Sequence, residues 1–183
     1  MDAIIKMNWE NLHSQDSNVR YEAFNALLTA TDKHVDWAYE IWDDLLASLQ
    51  HKNNHQRAIA AQLLCNLSRS DPENRILKDF DALFAVTRDE RFVTARHSLQ
   101  AIWKVALAGK QHQQMVVDRL AGRFRECVEE KNCTLIRYDI IEDLRKLYDA
   151  VQDEQIREAA LALIATEEDS KYRKKYAGLW RVT

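Results

Sequence analysis

Cys127 and Cys133 stand six residues apart across a helix–helix turn, the closest cysteine pair in the chain and the first place to look for a soft metal. Zinc wants a full tetrahedral set of thiolates and imidazoles, and no second C-x2-C or H-x3-H pair accompanies them. The pair therefore reads as two buried helical thiols. His51 and His55 are four apart, but the intervening Lys52-Asn53-Asn54 reads as a turn, which takes the two imidazoles off a shared helix face. His13, His34 and His112 fall near helix ends and read as surface or capping groups. Asp43-Asp44 and Glu129-Glu130 are adjacent, so each pair splits over two helix directions, stays solvated and forms no acid/base couple. No phosphate-cradling glycine loop, zinc-protease helix or nucleophile elbow occurs. No catalytic, metal or cofactor site is predicted, and a non-catalytic reading is favoured.

The elements that would position any site announce themselves through a different set of residues. Arg20, Arg57, Arg96, Arg137 and Arg173 follow one another at intervals of 36 to 41 residues. Each is followed three residues on by Ala23, Ala60, Leu99, Ile140 or Tyr176, and four further on by Leu27, Leu64, Trp103, Leu144 or Trp180. Such a period marks an array of helical repeats. Composition agrees: 3 glycines and 1 proline in 183 residues argue against a β-rich or loop-rich fold, and 46% apolar residues argue against disorder. The expected fold is all-α, about five antiparallel helix pairs in one domain spanning 1–183, with approximate repeats 1–31, 32–70, 71–109, 110–150 and 151–183. Apolar stripes at spacings of three and four support each pair, most plainly Trp37, Ile41, Trp42, Leu45 and Leu49. Most of the five tryptophans fall on such stripes and read as core.

Capping residues punctuate the joints. Asp16, Asn53, Asn132 and Asp169 are candidate N-caps, Asp71 precedes Pro72 at an expected first helical position, and Gly109 is a predicted helix stop. The net charge of −3 is spread unevenly: residues 1–50 and 111–170 are acidic, 51–110 and 171–183 basic. No secretory signal and no apolar run of membrane-spanning length is visible. Three cysteines without framework spacing suit a reducing compartment, so a cytoplasmic protein is expected, with no membrane partner.

The segment Asn18-Val19-Arg20-Tyr21-Glu22-Ala23, with Leu27, resembles the second helix of a HEAT repeat, and Gln56-Arg57-Ala58-Ile59-Ala60, with Leu64, is a second copy. Ala95-Arg96, Ile136-Arg137 and Tyr172-Arg173 are weaker copies. The resemblance implies a right-handed α-α superhelix of the HEAT/armadillo kind. It implies that the arginines are structural and bridge turns of neighbouring repeats. An acid or amide four residues before the arginine is the family's habit; Asp16, Asn53 and Asp169 fit it, whereas Phe92 and Cys133 do not, so the ladder is expected to lapse in repeats three and four.

A partner surface should lie opposite the buried stripe, at the first, fifth and eighth positions after each arginine. That selects Tyr21, Asn25, Gln62, His97, Lys104, Tyr138, Glu142, Arg145, Lys174 and Arg181, which the resemblance would place on a concave face. The leading expectation is a scaffold that binds another protein along this face or at the C-terminal end, where Leu179-Trp180-Arg181-Val182 lacks a polar cap and dimerisation is an option. The row becomes more basic toward that end, so nucleic-acid binding, resembling the HEAT-like glycosylases of alkylation repair, is the alternative. A role like that of the HEAT-like phycobilin lyases is a further one.

Overall fold

Helix-forming residues at helical spacing produce helices and, among the described residues, no strand. The structure, a computed structural model, describes residues 1–180. Among the described residues ten α-helices fall two to each predicted repeat: α1 (Ala3–Asn11) and α2 (Ser17–Thr31), α3 (Ala38–Ser48) and α4 (Asn54–Leu67), α5 (Arg75–Ala85) and α6 (Phe92–Leu99), α7 (Lys110–Glu126) and α8 (Cys133–Val151), α9 (Glu154–Ala165) and α10 (Ser170–Gly178). None of the described helices is long and apolar enough to cross a membrane.

The chain divides into two compact units, Met1–Ser98 and Leu99–Thr183. The division falls inside the third predicted repeat, on the helix that carries Arg96. That helix stops at Leu99, and after a two-residue turn the chain continues as a 3-10 segment, Ile102–Ala108. Of the ten apolar positions that follow the repeat arginines, nine are buried and Trp103 alone is half-exposed. It lies in the 3-10 segment, where three residues per turn rotate a side chain off a stripe laid out for 3.6.

In the first unit α2 packs on α1 and α4, while α3 packs on α4 and α5. Trp42, fully buried, is the largest core side chain, and its indole N–H donates to Asp79 at 2.9 Å. The Arg75 guanidinium lies 5.0 Å from the Tyr39 ring centre and 5.7 Å from that of Trp42, and pairs with the otherwise exposed Asp43. The Tyr39 hydroxyl bonds Asp71; burial first, and then this bond to a carboxylate, push the hydroxyl up to about 12. Asp71 accepts the Ile76 N–H in the first turn of the next helix at 2.8 Å, but the N-cap is Asn74 and α5 begins at Arg75, not at Pro72. Asp71 is anchored by Tyr39, so Pro72 and Glu73 form a turn that Asn74 closes at φ 54°, a left-handed conformation asparagine tolerates.

In the second unit α8 is the longest helix; it packs on α7, α9, α10 and the 3-10 segment. Gly109 ends that segment and opens α7 at φ 152°, ψ 177°, a region nearly reserved for glycine. A Cβ there would meet only His112 Nδ1 at 3.7 Å, an ordinary contact, so backbone strain decides the effect. Gly109→Ala is expected to cost about 1–3 kcal/mol in urea unfolding. Gly178→Ala, in α10 with nothing within 4 Å of the added Cβ, should be neutral or mildly stabilising.

Candidate functional site

The repeat arginines are tied to backbone in a common way. Arg20 Nη1 donates to the carbonyls of Ser14 and Gln15 at 2.7 and 2.9 Å, and Arg57 Nη1 to those of His51 and Lys52 at 2.8 and 3.3 Å. Arg173 Nη1 reaches the Glu167 carbonyl at 3.2 Å, again six residues back. Arg137 departs: its Nε donates to the Phe124 carbonyl at 3.0 Å, and the guanidinium lies 4.7 Å from the Phe124 ring centre. Each of these arginines thereby closes the joint between the two helices of its pair, satisfying carbonyls that a helix end leaves open.

Carboxylates complete two of these sites. Asp89 meets Arg57 with both oxygens, at 2.5 Å from Nε and 2.9 Å from Nη2, and Glu167 meets Arg137 Nη1 at 2.8 Å. Burial pushes the Asp89 carboxyl up, but the Arg57 fork and the Arg91 amide outweigh it and hold it below the ordinary range. The expectation that the ladder lapses is corrected for repeat four, whose Arg137 has its acid. The residues four before the arginines are not the rungs. Asp16, Asn53 and Asp169 turn their side chains onto their own helices and accept the N–H of Asn18, His55 and Lys171 as N-caps. The rungs stand six or seven residues before the next arginine, where the turn approaches the preceding guanidinium. Asn132 makes no side-chain cap.

The first unit carries a groove of about 680 Å³ between the α1–α2 turn, α2, the turn before α4, α4 and His97 of α6. Leu12, Phe24 and Ile59 supply apolar lining, while Arg20 and the histidines His13, His51, His55 and His97 supply polar edges; no Asp or Glu lines it. Three residues of the predicted partner row meet in it: Tyr21, Gln62 and His97, from three successive repeats. Tyr21 is 67% exposed, a large ring held out in solvent at the rim. Asn25 is exposed on α2 but does not line the groove. His13, expected at a helix end, and His51 and His55, expected on either side of a turn, converge on it, which the local sequence does not reveal. Among the described residues no group of three histidine, cysteine or acid side chains is arranged to hold a metal ion.

The remaining row residues lie in the second unit and are largely occupied. Arg145 Nε donates to both Asp149 oxygens at 2.9 Å, and its guanidinium lies 5.6 Å from the Trp180 ring centre. Glu142 accepts from Lys146 at 2.8 Å, and the Tyr138 ring has Lys175 Nζ 4.7 Å from its centre. Lys104 is half-exposed and Lys174 exposed; Arg181 lies outside the described residues. Trp180 is buried and packs on Tyr148 at 5.5 Å between ring centres. Cys127 and Cys133 are both buried thiols, and burial first, then the neighbouring Cys133 thiol, push Cys127 up to about 12. One carboxyl pair does stand out. Asp139 and Asp143, one turn apart on α8, are both buried, and neither Asp143 oxygen has a hydrogen-bond partner. An acid recurring every fourth residue among Ile136, Ile140, Leu144 and Leu147 was the available signal.

No protein-family model matches the chain, and no curated protein matches it. The fold is similar to the crystal structure of an engineered protein from the Northeast Structural Genomics Consortium, with a TM-score of 0.53 and 19% sequence identity over 97% of this chain and 79% of the other. At that identity the likeness speaks to the fold alone.

Proposed function

We propose that the chain is a non-catalytic, HEAT-like repeat module of the cytoplasm that binds another protein through the groove of its first unit. The superhelical reading draws support from neighbour packing: α2 on α4 and α3 on α5 in the first unit, α7 on α9 and α8 on α10 in the second. Like helix stacks on like helix one repeat on, which is how such arrays hide their apolar flanks. The observation that carries the binding role is the meeting of Tyr21, Gln62 and His97 in one concave, partly apolar site that no carboxylate lines. Concave apolar sites edged by a few polar groups are where partners dock, and an exposed tyrosine at the rim is a typical anchor.

Affinity capture from the native lysate, with and without nuclease, tests the reading. The double variant Tyr21→Ala with His97→Ala is expected to lose a nuclease-resistant partner that the parent chain retains, with helical circular dichroism unchanged. Both residues are exposed, so the fold should tolerate the change. Equal capture by parent and variant refutes the placement. The nucleic-acid alternative rests on α10, where Lys171, Arg173, Lys174 and Lys175 are exposed on a helix without an acid. Nuclease-sensitive capture, with duplex binding that weakens steeply with salt, would select it.

A further inference from the structure

Arg20 and Arg57 occupy the same place in successive repeats and hold the same pair of carbonyls with Nη1, six and five residues back. They differ in the rest of the guanidinium. In Arg57, Nε and Nη2 form a parallel fork closed by the Asp89 carboxylate. In Arg20 those two groups have no partner among the described residues; its only bonds are to the Ser14 and Gln15 carbonyls. The reason is visible in the sequence. The rung for Arg137 is Glu167, six residues before Arg173, whereas the residue six before Arg57 is His51, flanked by Gln50 and Lys52. The first repeat lacks the internal acid that the second and fourth have, and this half-buried arginine lines the groove beside Leu12, Phe24 and Ile59.

We propose that the occupant of the groove is a segment of a partner protein whose aspartate or glutamate side chain closes the open fork of Arg20, with a neighbouring apolar side chain against Leu12, Phe24 and Ile59. This deepens, and rests on, the docking role proposed for that groove. Arg57 with Asp89 is the template for the contact: a guanidinium already oriented by backbone carbonyls loses little freedom when it binds a carboxylate in two-point fashion. The charge of the lining favours the same occupant, since an acidic segment meets an arginine and four imidazoles and no like charge.

The probe is a pool of short fluorescent peptides blocked at both ends, with a central glutamate among randomised apolar residues, and a matching pool with glutamine in its place. Fluorescence anisotropy at low salt is expected to show the glutamate pool binding roughly ten- to a hundredfold more tightly, the scale of a charge-assisted, two-point hydrogen bond. His51→Glu, at an exposed position, places a carboxylate where Glu167 stands for Arg137 and should abolish that binding by closing the fork from within. Arg20→Gln should do likewise, but it also frees the Ser14–Gln15 turn, so His51→Glu is the decisive variant. Equal binding of the two pools, or an unaffected His51→Glu variant, overturns the inference. If Tyr21→Ala weakens both pools equally, the groove docks peptide but not through an acid. If neither pool binds, the inference falls whatever lysate capture by the parent and its Tyr21 variant shows for docking itself. Binding confined to peptides with a free C-terminal carboxylate, or self-association in place of peptide binding, names a different occupant and also overturns it.

Discussion

Asp143→Asn is expected to melt higher than the parent chain at neutral pH, and the gap should close as the pH falls toward about 4, the usual range of an unfolded aspartate. Asp143 is fully buried on α8 with neither oxygen hydrogen-bonded, and Lys146 Nζ stands 3.8 Å from Oδ1, too far for a hydrogen bond. Burial first raises the carboxyl well above its ordinary value; Lys146 opposes this, while Asp139 and Glu142 add to it. The folded chain therefore keeps a proton that the unfolded chain releases. Stability must fall as pH rises from the unfolded value toward the folded one and level off beyond it, since the folded state binds more protons across that window. Asparagine keeps the shape and removes the charge. The gain is the cost of keeping that proton, which asparagine does not carry, and should read as a few degrees of melting temperature at roughly 2–4 °C per kcal/mol. Calorimetric scans of both chains at several pH values check this; an unchanged pH slope in the variant would show that Asp143 ionises freely. A gain in stability with any loss of partner capture would place this acid among the groups kept for function rather than for the fold.

Trp42→Ala should be the most damaging single change in the first unit, at about 3–5 kcal/mol, the usual cost of removing a buried aromatic ring. Three losses combine there. The core side chain disappears from full burial, Asp79 loses the indole N–H it accepts at 2.9 Å, and Arg75 loses one of the two rings it lies against. Trp42→Phe separates the terms, because it keeps most of the ring and removes only the donor. It should cost roughly 1–3 kcal/mol, the penalty of a half-buried acceptor left unmet. Urea unfolding followed by far-ultraviolet circular dichroism reads both. A Trp42→Phe variant as unstable as Trp42→Ala would mean that the bond to Asp79, and not the packing, holds α3 to α5.

Helix identity was legible in the residues themselves. A shortage of glycine and proline, apolar positions at three-and-four spacing and short polar joints leave a chain no other way to satisfy its backbone. The arginine period was legible for the same local reason: four of the arginines reach carbonyls within their own helix pair, six and five residues back in Arg20 and Arg57, six back in Arg173 and thirteen back in Arg137. The caps at Asp16, Asn53 and Asp169 depend on two residues' reach and were equally readable.

What depended on distant segments was not. Asp89 and Glu167 lie 32 and 30 residues from the arginines they meet, and only tertiary packing says which turn approaches which guanidinium. Nothing local distinguishes the vacant fork of Arg20 from the filled one of Arg57. The interruption after Leu99 and the burial of Asp143 likewise follow from what surrounds those residues. Sequence by itself settled the helical class, because helix formation is governed by neighbours within a few residues. Tertiary structure decided which charges are satisfied and which are left open, because in a folded chain the partner of a charge is set by proximity in space, and a single sequence does not encode that proximity locally.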